Sequence, residues 1–285
     1  MVAILIGSAA LVTYALTHVS TPATAAQTAL TSPGILATLS TVPPATFDAV
    51  GVTVPGAELT PPRIVDGPPL TASGVPQVLF VGAEYCPFCA AERWPLVVAL
   101  SRFGRFHVLH NADSSTASVF PGTSSFSFVG ASYSSRYLTF TGVELYSDLV
   151  GADGSFTPIA RLTPAQAAVV ARYQAPSDGA AAGTAPFVDV GGRMVATTSG
   201  FSPALLAGQS QAQIAAEVSQ PAPATQAGSA ATPGAPTGQA VIAVANQLSA
   251  GICAVTDQEP AAVCRSKGVR AADQALGLTA PPAGT

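Results

Sequence analysis

A short apolar run that leads into two cysteines one helical turn apart restricts this chain more than any other feature. Gln77 to Gly82 reads QVLFVG, the texture of a strand buried on both faces. Cys86-Pro87-Phe88-Cys89 follows, and a helical pattern runs from Pro87 to about Phe103. A strand that enters a helix through this motif puts Cys86 near the helix N-cap. Pro87 at the first helical position forfeits no hydrogen bond, because it has no N–H. Unpaired backbone donors and the helix dipole then favour negative charge on the Cys86 sulfur. Cys86 reads as a nucleophile, and Cys89 as the thiol that resolves a mixed disulfide.

A lone C-x-x-C also fits half a zinc site or an incidental pairing. The strand before it and the helix after it are the context of a thioredoxin-like redox motif. The metal reading lacks a second half, since ten residues separate Cys253 from Cys264, too many for a zinc knuckle. His107 and His110 lie three apart on a strand candidate, FHVLH, and so point to opposite faces. They read as one core-edge and one solvent histidine, and no metal or cofactor is expected. No G-x-S-x-G, H-E-x-x-H, phosphate-binding glycine loop or dinucleotide fingerprint occurs.

Pro186, in TAPFVDV, is the second diagnostic residue. Thioredoxin-like folds place a cis-proline before the hairpin strand that faces the redox motif, and this position fits; an ordinary trans loop proline is the competing reading. If the bond is cis, the Ala185 backbone pairs with an extended substrate chain beside Cys86. Pro95 would ordinarily argue against a helix, but first helices of this fold carry a kinking proline at about this distance from the motif. Trp94 reads as core or as a shield over the motif, and Glu92 and Arg93 as solvated.

Charge narrows the partners. Only 9% of the 285 residues are charged, Lys267 is the sole lysine, and the formal charge is −4. No basic stripe exists for a nucleic acid to meet. With 48% hydrophobic residues the chain can bury a sizeable core. Mean hydropathy is +0.43, yet only Val2 to Val19 approaches the roughly 20 apolar residues of a spanning helix. That segment reads as an uncleaved anchor, as a signal cleaved near Ala23-Thr24-Ala25, or as a buried helix. No charged residue precedes Asp48, so the positive flank is absent; this points to a start upstream of Met1 or to a weakly set orientation. Anchor and signal alike export the remainder of the chain into a compartment where disulfides persist.

Five regions are expected. Residues 1–25 form the membrane anchor or signal, and 26–70 a Thr/Ala/Pro-rich stalk. Residues 71–218 form an α/β domain of thioredoxin-like fold, a central mixed sheet flanked by helices. Its second strand is Phe106 to His110, with an insertion over about 113–160 before the cis-proline loop. Strand candidates inside the insertion are Phe126–Val129 and Tyr137–Leu145. Thr163 caps a helix that runs to Tyr173, with Pro164 at its first position. Pro186–Val190, a Gly191-Gly192 turn and Met194–Thr197 read as a hairpin. A helix from Ser202 to about Val218 closes the body. Residues 219–239 read as a low-complexity linker, and 240–285 as a tail with an amphipathic helix, Ala240 to Ile252.

The stretch VGAEYCPFCAAERWPLVVALSRFG, residues 81–104, closely resembles a thioredoxin-like family of actinobacteria and archaea known only as domain of unknown function 929. Phe126 to Leu145, TAPFVDVGGR and ICAVTDQEPAAVC resemble it too, over roughly residues 70–270. The resemblance implies an exported or membrane-anchored thioredoxin fold with a C-P-aromatic-C site and an extra cysteine pair. Cys86–Cys89 is then a redox-active disulfide. Cys253–Cys264 is a local structural disulfide, or else a second pair exchanging with Cys86. Thioredoxin itself carries a buried acid six residues before its first motif cysteine. Phe80 stands there in this chain, so that proton relay is missing, or Glu84 supplies it less directly.

The reading that results is a membrane-tethered, extracytoplasmic thiol–disulfide oxidoreductase acting on protein cysteines. Cys86 and Cys89 are catalytic, Ala185 and Pro186 clamp the substrate backbone, and Pro87, Phe88 and Glu84 tune the thiols. Its partners are cysteine-containing exported proteins or a membrane redox protein. The alternative is a redox-inert binding or scaffold protein in which both cysteine pairs are permanent staples.

Overall fold

The computed structural model describes residues 29–174, 185–220 and 235–278. The expected anchor, residues 1–25, and most of the expected linker lie outside them. In chain order the elements are α1 (Pro33–Ser40), α2 (Pro44–Val50), β1 (Arg63–Ile64), β2 (Thr71–Ala72), β3 (Val75–Gly82) and α3 (Pro87–Ser101). Next come β4 (Arg105–Asp113), β5 (Ser124–Ser134), β6 (Thr139–Glu144), β7 (Tyr146–Val150), β8 (Phe156–Pro158) and α4 (Pro164–Tyr173). The hairpin β9 (Phe187–Val190) and β10 (Met194–Ala196) precedes a 3₁₀ turn at Pro203–Leu206 and α5 (Gln211–Ser219). The chain closes with α6 (Ala235–Val255), α7 (Ala261–Cys264) and α8 (Lys267–Leu276).

The central sheet is mixed. β3 pairs in parallel with β6, Gln77 to Gly82 against Thr139 to Glu144, and antiparallel with β9, Val78 against Val190 through Val81 against Phe187. β10 and then β1 extend the sheet beyond β9, and β2 folds back on the start of β3. Alternation along β3 divides the core. Val78 and Phe80 face one side, with α3, α5 and α6; Leu79 and Val81 face the other, with Val170 of α4. Helices therefore cover both faces.

Local signals were obeyed where they were strong. Thr163 makes a full capping box with Gln166 ahead of α4. Gly191 and Gly192, with φ of 62° and 74°, turn the β9–β10 hairpin in a conformation that costs a residue with a Cβ.

Four expectations are corrected. The region expected to be an insertion supplies a central strand, since β6 pairs in parallel with β3, while the expected second strand, Phe106–His110, lies outside the central sheet. β4 instead pairs with β5 in a separate two-stranded ribbon, whose inner side packs Phe106 and Phe128 against Phe140 of β6. The supposed stalk is folded over its described part. Leu39, Val42 and Phe47 lie in the main core, and residues 29–31 bond to β4 through Thr31 N–H on Leu109 C=O and Asn111 N–H on Ala29 C=O. Thr/Ala/Pro composition hid a few well-spaced apolar side chains that suffice to dock two short helices.

The supposed tail is the third correction. α6 is central to the core, with Val241, Ile242, Val244, Leu248 and Ile252 at most 1% exposed. A helix apolar on nearly all sides belongs inside, and Asn246, a polar exception, is used there. Asn246 Nδ2 donates to the carbonyls of Phe47 and Gly51 at 2.9 Å, tying α2 to α6. Pro236–Val255 is long and apolar enough to cross a membrane, but 83% of its most apolar stretch is buried in this core. The closing helix of the body is also shorter than expected, because Gly208, at φ 71°, separates the 3₁₀ turn from α5.

Candidate active site

β3 ends at Gly82 and α3 begins after four intervening residues, so the cysteine motif sits at the C-terminal end of a central strand. Cys86 is the N-cap of α3, with extended backbone (φ −84°, ψ 120°) and Pro87 in the first turn. Its Sγ accepts the Cys89 N–H at 3.3 Å. That bond makes sulfur do the work of an N-cap oxygen. Cys86 is 4% exposed and Cys89 is fully buried, and both are free thiols. A hydrogen bond from the Cys89 side chain does most to lower the Cys86 pKa, to about 7; burial opposes it, and the Cys89 N–H and Arg93 assist. Burial first, then the neighbouring sulfur, pushes Cys89 well above the ordinary thiol range. Two thiols one turn apart are thus made chemically unlike.

The rim is aromatic. Tyr85 stacks on Phe156 at 3.9 Å, and its N-terminal neighbour Glu84 bonds through its N–H to Tyr146 C=O. Phe88 is 37% exposed and meets Phe120 edge to face. Trp94 is core, its Nε1 donating to Ser124 C=O at 2.9 Å and its ring against Phe126.

Glu84 is buried and accepts a hydrogen bond from Ser127 Oγ. Burial raises its pKa, which weakens the opposition to a Cys86 thiolate expected of an ionised Glu84. Pro186 is buried, and continuing the β3–β9 register by one residue sets it opposite Gly82. A Cβ added at Gly82 would lie 3.0 Å from Cys89 Sγ, so that strand position borders the buried thiol. The cis bond expected at Ala185–Pro186 is not there; among the described residues the cis peptide is Glu259–Pro260. Cys253 and Cys264 form a disulfide joining α6 to α7.

Glu92 and Arg93 are the residues misread as solvated, and both are buried. Glu92 accepts the Gly200 N–H at 2.8 Å, and burial raises its pKa to about 8. Arg93 forms a buried ion pair with Glu144, the last residue of β6 (Nε to Oε1 2.9 Å, Nη2 to Oε2 2.6 Å). Their one visible signal was spacing: Arg93 follows Cys89 by four and Cys86 by seven positions, on the same helix face. His107 is exposed beside Ser134 Oγ, and His110 is half-buried. Among the described residues no cluster of His, Cys, Asp and Glu has the geometry to hold a metal. A cleft of about 800 Å³ lined by Val52, Leu59, Ile64, Gln247 and Leu276 has no cysteine, histidine or carboxylate in its lining and does not include the motif.

Searches of curated proteins and of solved structures each returned no match. A family model does match, over residues 63–233, from β1 through the motif and the β9–β10 hairpin to beyond α5. The chain belongs to that family, described as Domain of unknown function (DUF929).

Proposed function

We propose that this chain is a thiol–disulfide oxidoreductase of thioredoxin-like architecture that acts on protein cysteines outside the cytoplasm, tethered through its N-terminal apolar segment. The observation that carries the reading is the inequality of the two thiols. Cys86 is the helix N-cap, stabilised as thiolate near neutral pH, while Cys89 is buried behind it as a thiol. A structural staple gains nothing from that inequality, whereas disulfide exchange depends on it. The strand order β6–β3–β9–β10, with one parallel and two antiparallel pairings, supports the thioredoxin-like assignment.

Starting from the dithiol, the Cys86 thiolate attacks one sulfur of a substrate disulfide, and the other substrate sulfur leaves as thiolate. Cys89 then attacks Cys86 Sγ, its proton passing to the departing substrate sulfur. The mixed disulfide breaks, the second substrate sulfur departs as a thiol, and the Cys86–Cys89 disulfide remains. Substrate oxidation is the same sequence reversed, and either direction needs a dithiol or disulfide partner to reset the enzyme. Phe88 offers an apolar contact at the rim. Ala185, two residues ahead of β9 and one beyond the position opposite Gly82, supplies the backbone a substrate chain would pair with, beside Pro186.

The test is a trap. Cys89→Ala keeps the nucleophile and removes the resolving thiol, so mixed disulfides with exported proteins should accumulate through Cys86 and be identified by mass. Cys86→Ala should trap none. Equal absence of adducts in both variants would return the motif to a scaffold role.

A further inference from the structure

Fully desolvated ion pairs seldom stabilise a fold, since apolar residues of similar volume do as well or better. Arg93 and Glu144 are each 0% exposed at the side chain, in the middle of an apolar layer. Arg93 Nη2, besides bonding Glu144, donates to Ala83 C=O at 2.8 Å, and that same carbonyl accepts the Cys86 N–H at 3.2 Å. The guanidinium and the nucleophile's backbone therefore share one oxygen. Glu144 stands opposite Gly82 in the parallel register and also accepts the Phe128 N–H at 3.3 Å. Nη1 of Arg93 is buried with no partner. An orphaned donor on a cation costs more than one on a neutral group.

We infer that Arg93 and Glu144 are positioning residues for the thiol pair: a buried, balanced charge pair under the motif that adjusts how readily Cys86 carries negative charge. The inference rests on the disulfide-exchange reading for its purpose, but not for its measurement. Before reaction the guanidinium is neutralised by Glu144. When charge appears on sulfur, the guanidinium favours it through space. The other titratable groups around the motif are Glu84, Tyr85, Tyr146 and Asp148. None of these is a cation. Burial holds Glu84 toward its neutral acid and Tyr85 toward its neutral phenol, with the Tyr85 pKa at about 12. Arg93 is thus the cation on which the sulfurs depend.

The two halves of the pair make the test sharp, because breaking it from either side weakens folding alike but moves the thiol oppositely. Alkylation of Cys86 by iodoacetamide is followed against pH in the reduced full chain, with the modified peptide read by mass. Arg93→Met leaves Glu144 uncompensated, and the Cys86 rate at pH 7 should fall about fivefold, the loss of thiolate when a midpoint near pH 7 rises by about one pH unit. Glu144→Gln leaves the guanidinium uncompensated, and the rate profile should shift to lower pH. Arg93→Lys keeps the charge and should hold the midpoint near that of the unaltered protein. If Arg93→Met does not fold, the direction of the Glu144→Gln shift decides. Shifts of the same sign in both variants, or none in Glu144→Gln, would overturn the inference. Opposite shifts together with empty Cys89→Ala traps would uphold the charge pair while removing the oxidoreductase reading.

Discussion

Glu92→Gln exchanges a buried carboxyl for a neutral group of the same shape, and the structure sets the size of the effect. Glu92 is 1% exposed, no cation acts on it, and its identified partner is the Gly200 N–H. Burial accordingly raises its pKa from 4.5 to about 8. The folded protein keeps this proton up to about pH 8, while the unfolded chain releases it from about 4.5 upward. Stability from this group is fully present below pH 4.5 and is lost as pH rises toward 8. Between pH 5 and pH 7.5 the linkage amounts to about 3 kcal/mol, at 1.36 kcal/mol for each unit of difference. Urea denaturation followed by Trp94 fluorescence, on both proteins at both pH values, isolates Glu92 from Glu84, Asp189 and Glu217, whose pKa values burial also raises. The variant should gain about 3 kcal/mol on the unaltered protein as pH goes from 5 to 7.5. A difference between the two proteins that is constant with pH would refute the argument.

The same structure sets three further outcomes. Cys253→Ser with Cys264→Ser opens a loop closed over 11 positions and should cost about 3 kcal/mol in the chain-entropy model, leaving Cys86 alkylation unchanged; lost reactivity with intact stability would make the pair an exchange partner. Phe47→Ala should cost about 3–5 kcal/mol by urea denaturation, since the ring is 3% exposed under Arg102 and against α6; an unaltered midpoint would mean that residues 26–70 do not belong to the fold. In the reduced protein Cys86 should alkylate with a midpoint near pH 7 and Cys89 far more slowly, and faster labelling of Cys89 would reverse their roles.

The strand, motif and first helix were legible because each is a local pattern: an apolar run, a capping thiol with proline behind it, and a helical run of mostly apolar residues after it. The α4 cap and the glycine turn of the hairpin were legible for the same reason. What escaped was non-local. β6 carries Thr, Gly and Glu among its six residues, so nothing in its texture marked it as the parallel neighbour of β3. Pairing with Gln77–Gly82 across more than sixty positions is what makes it central. Arg93 looked like a surface cation because its neutralising carboxylate is 51 residues away. Glu92 looked solvated because burying an unpaired carboxyl is rare, and only the fold reveals that Gly200 is there to meet it. α1 and α2 hid in composition for a related reason, since Leu39 and Phe47 become core only once α5, α6 and α8 are in place.

The central claim is that Cys86 and Cys89 exchange between dithiol and disulfide. Equilibration of the full chain with glutathione buffers, quenched by alkylation and read by mass, tests it directly. The helix N-terminus favours the Cys86 thiolate and so makes the disulfide more oxidising, while Phe88 adds no positive charge beside it. The expected result is one reversible two-electron transition with a midpoint of about −180 to −230 mV, between the thioredoxin and strong-oxidant limits. A pair that stays wholly reduced, or wholly bridged, across the entire glutathione range would contradict the account.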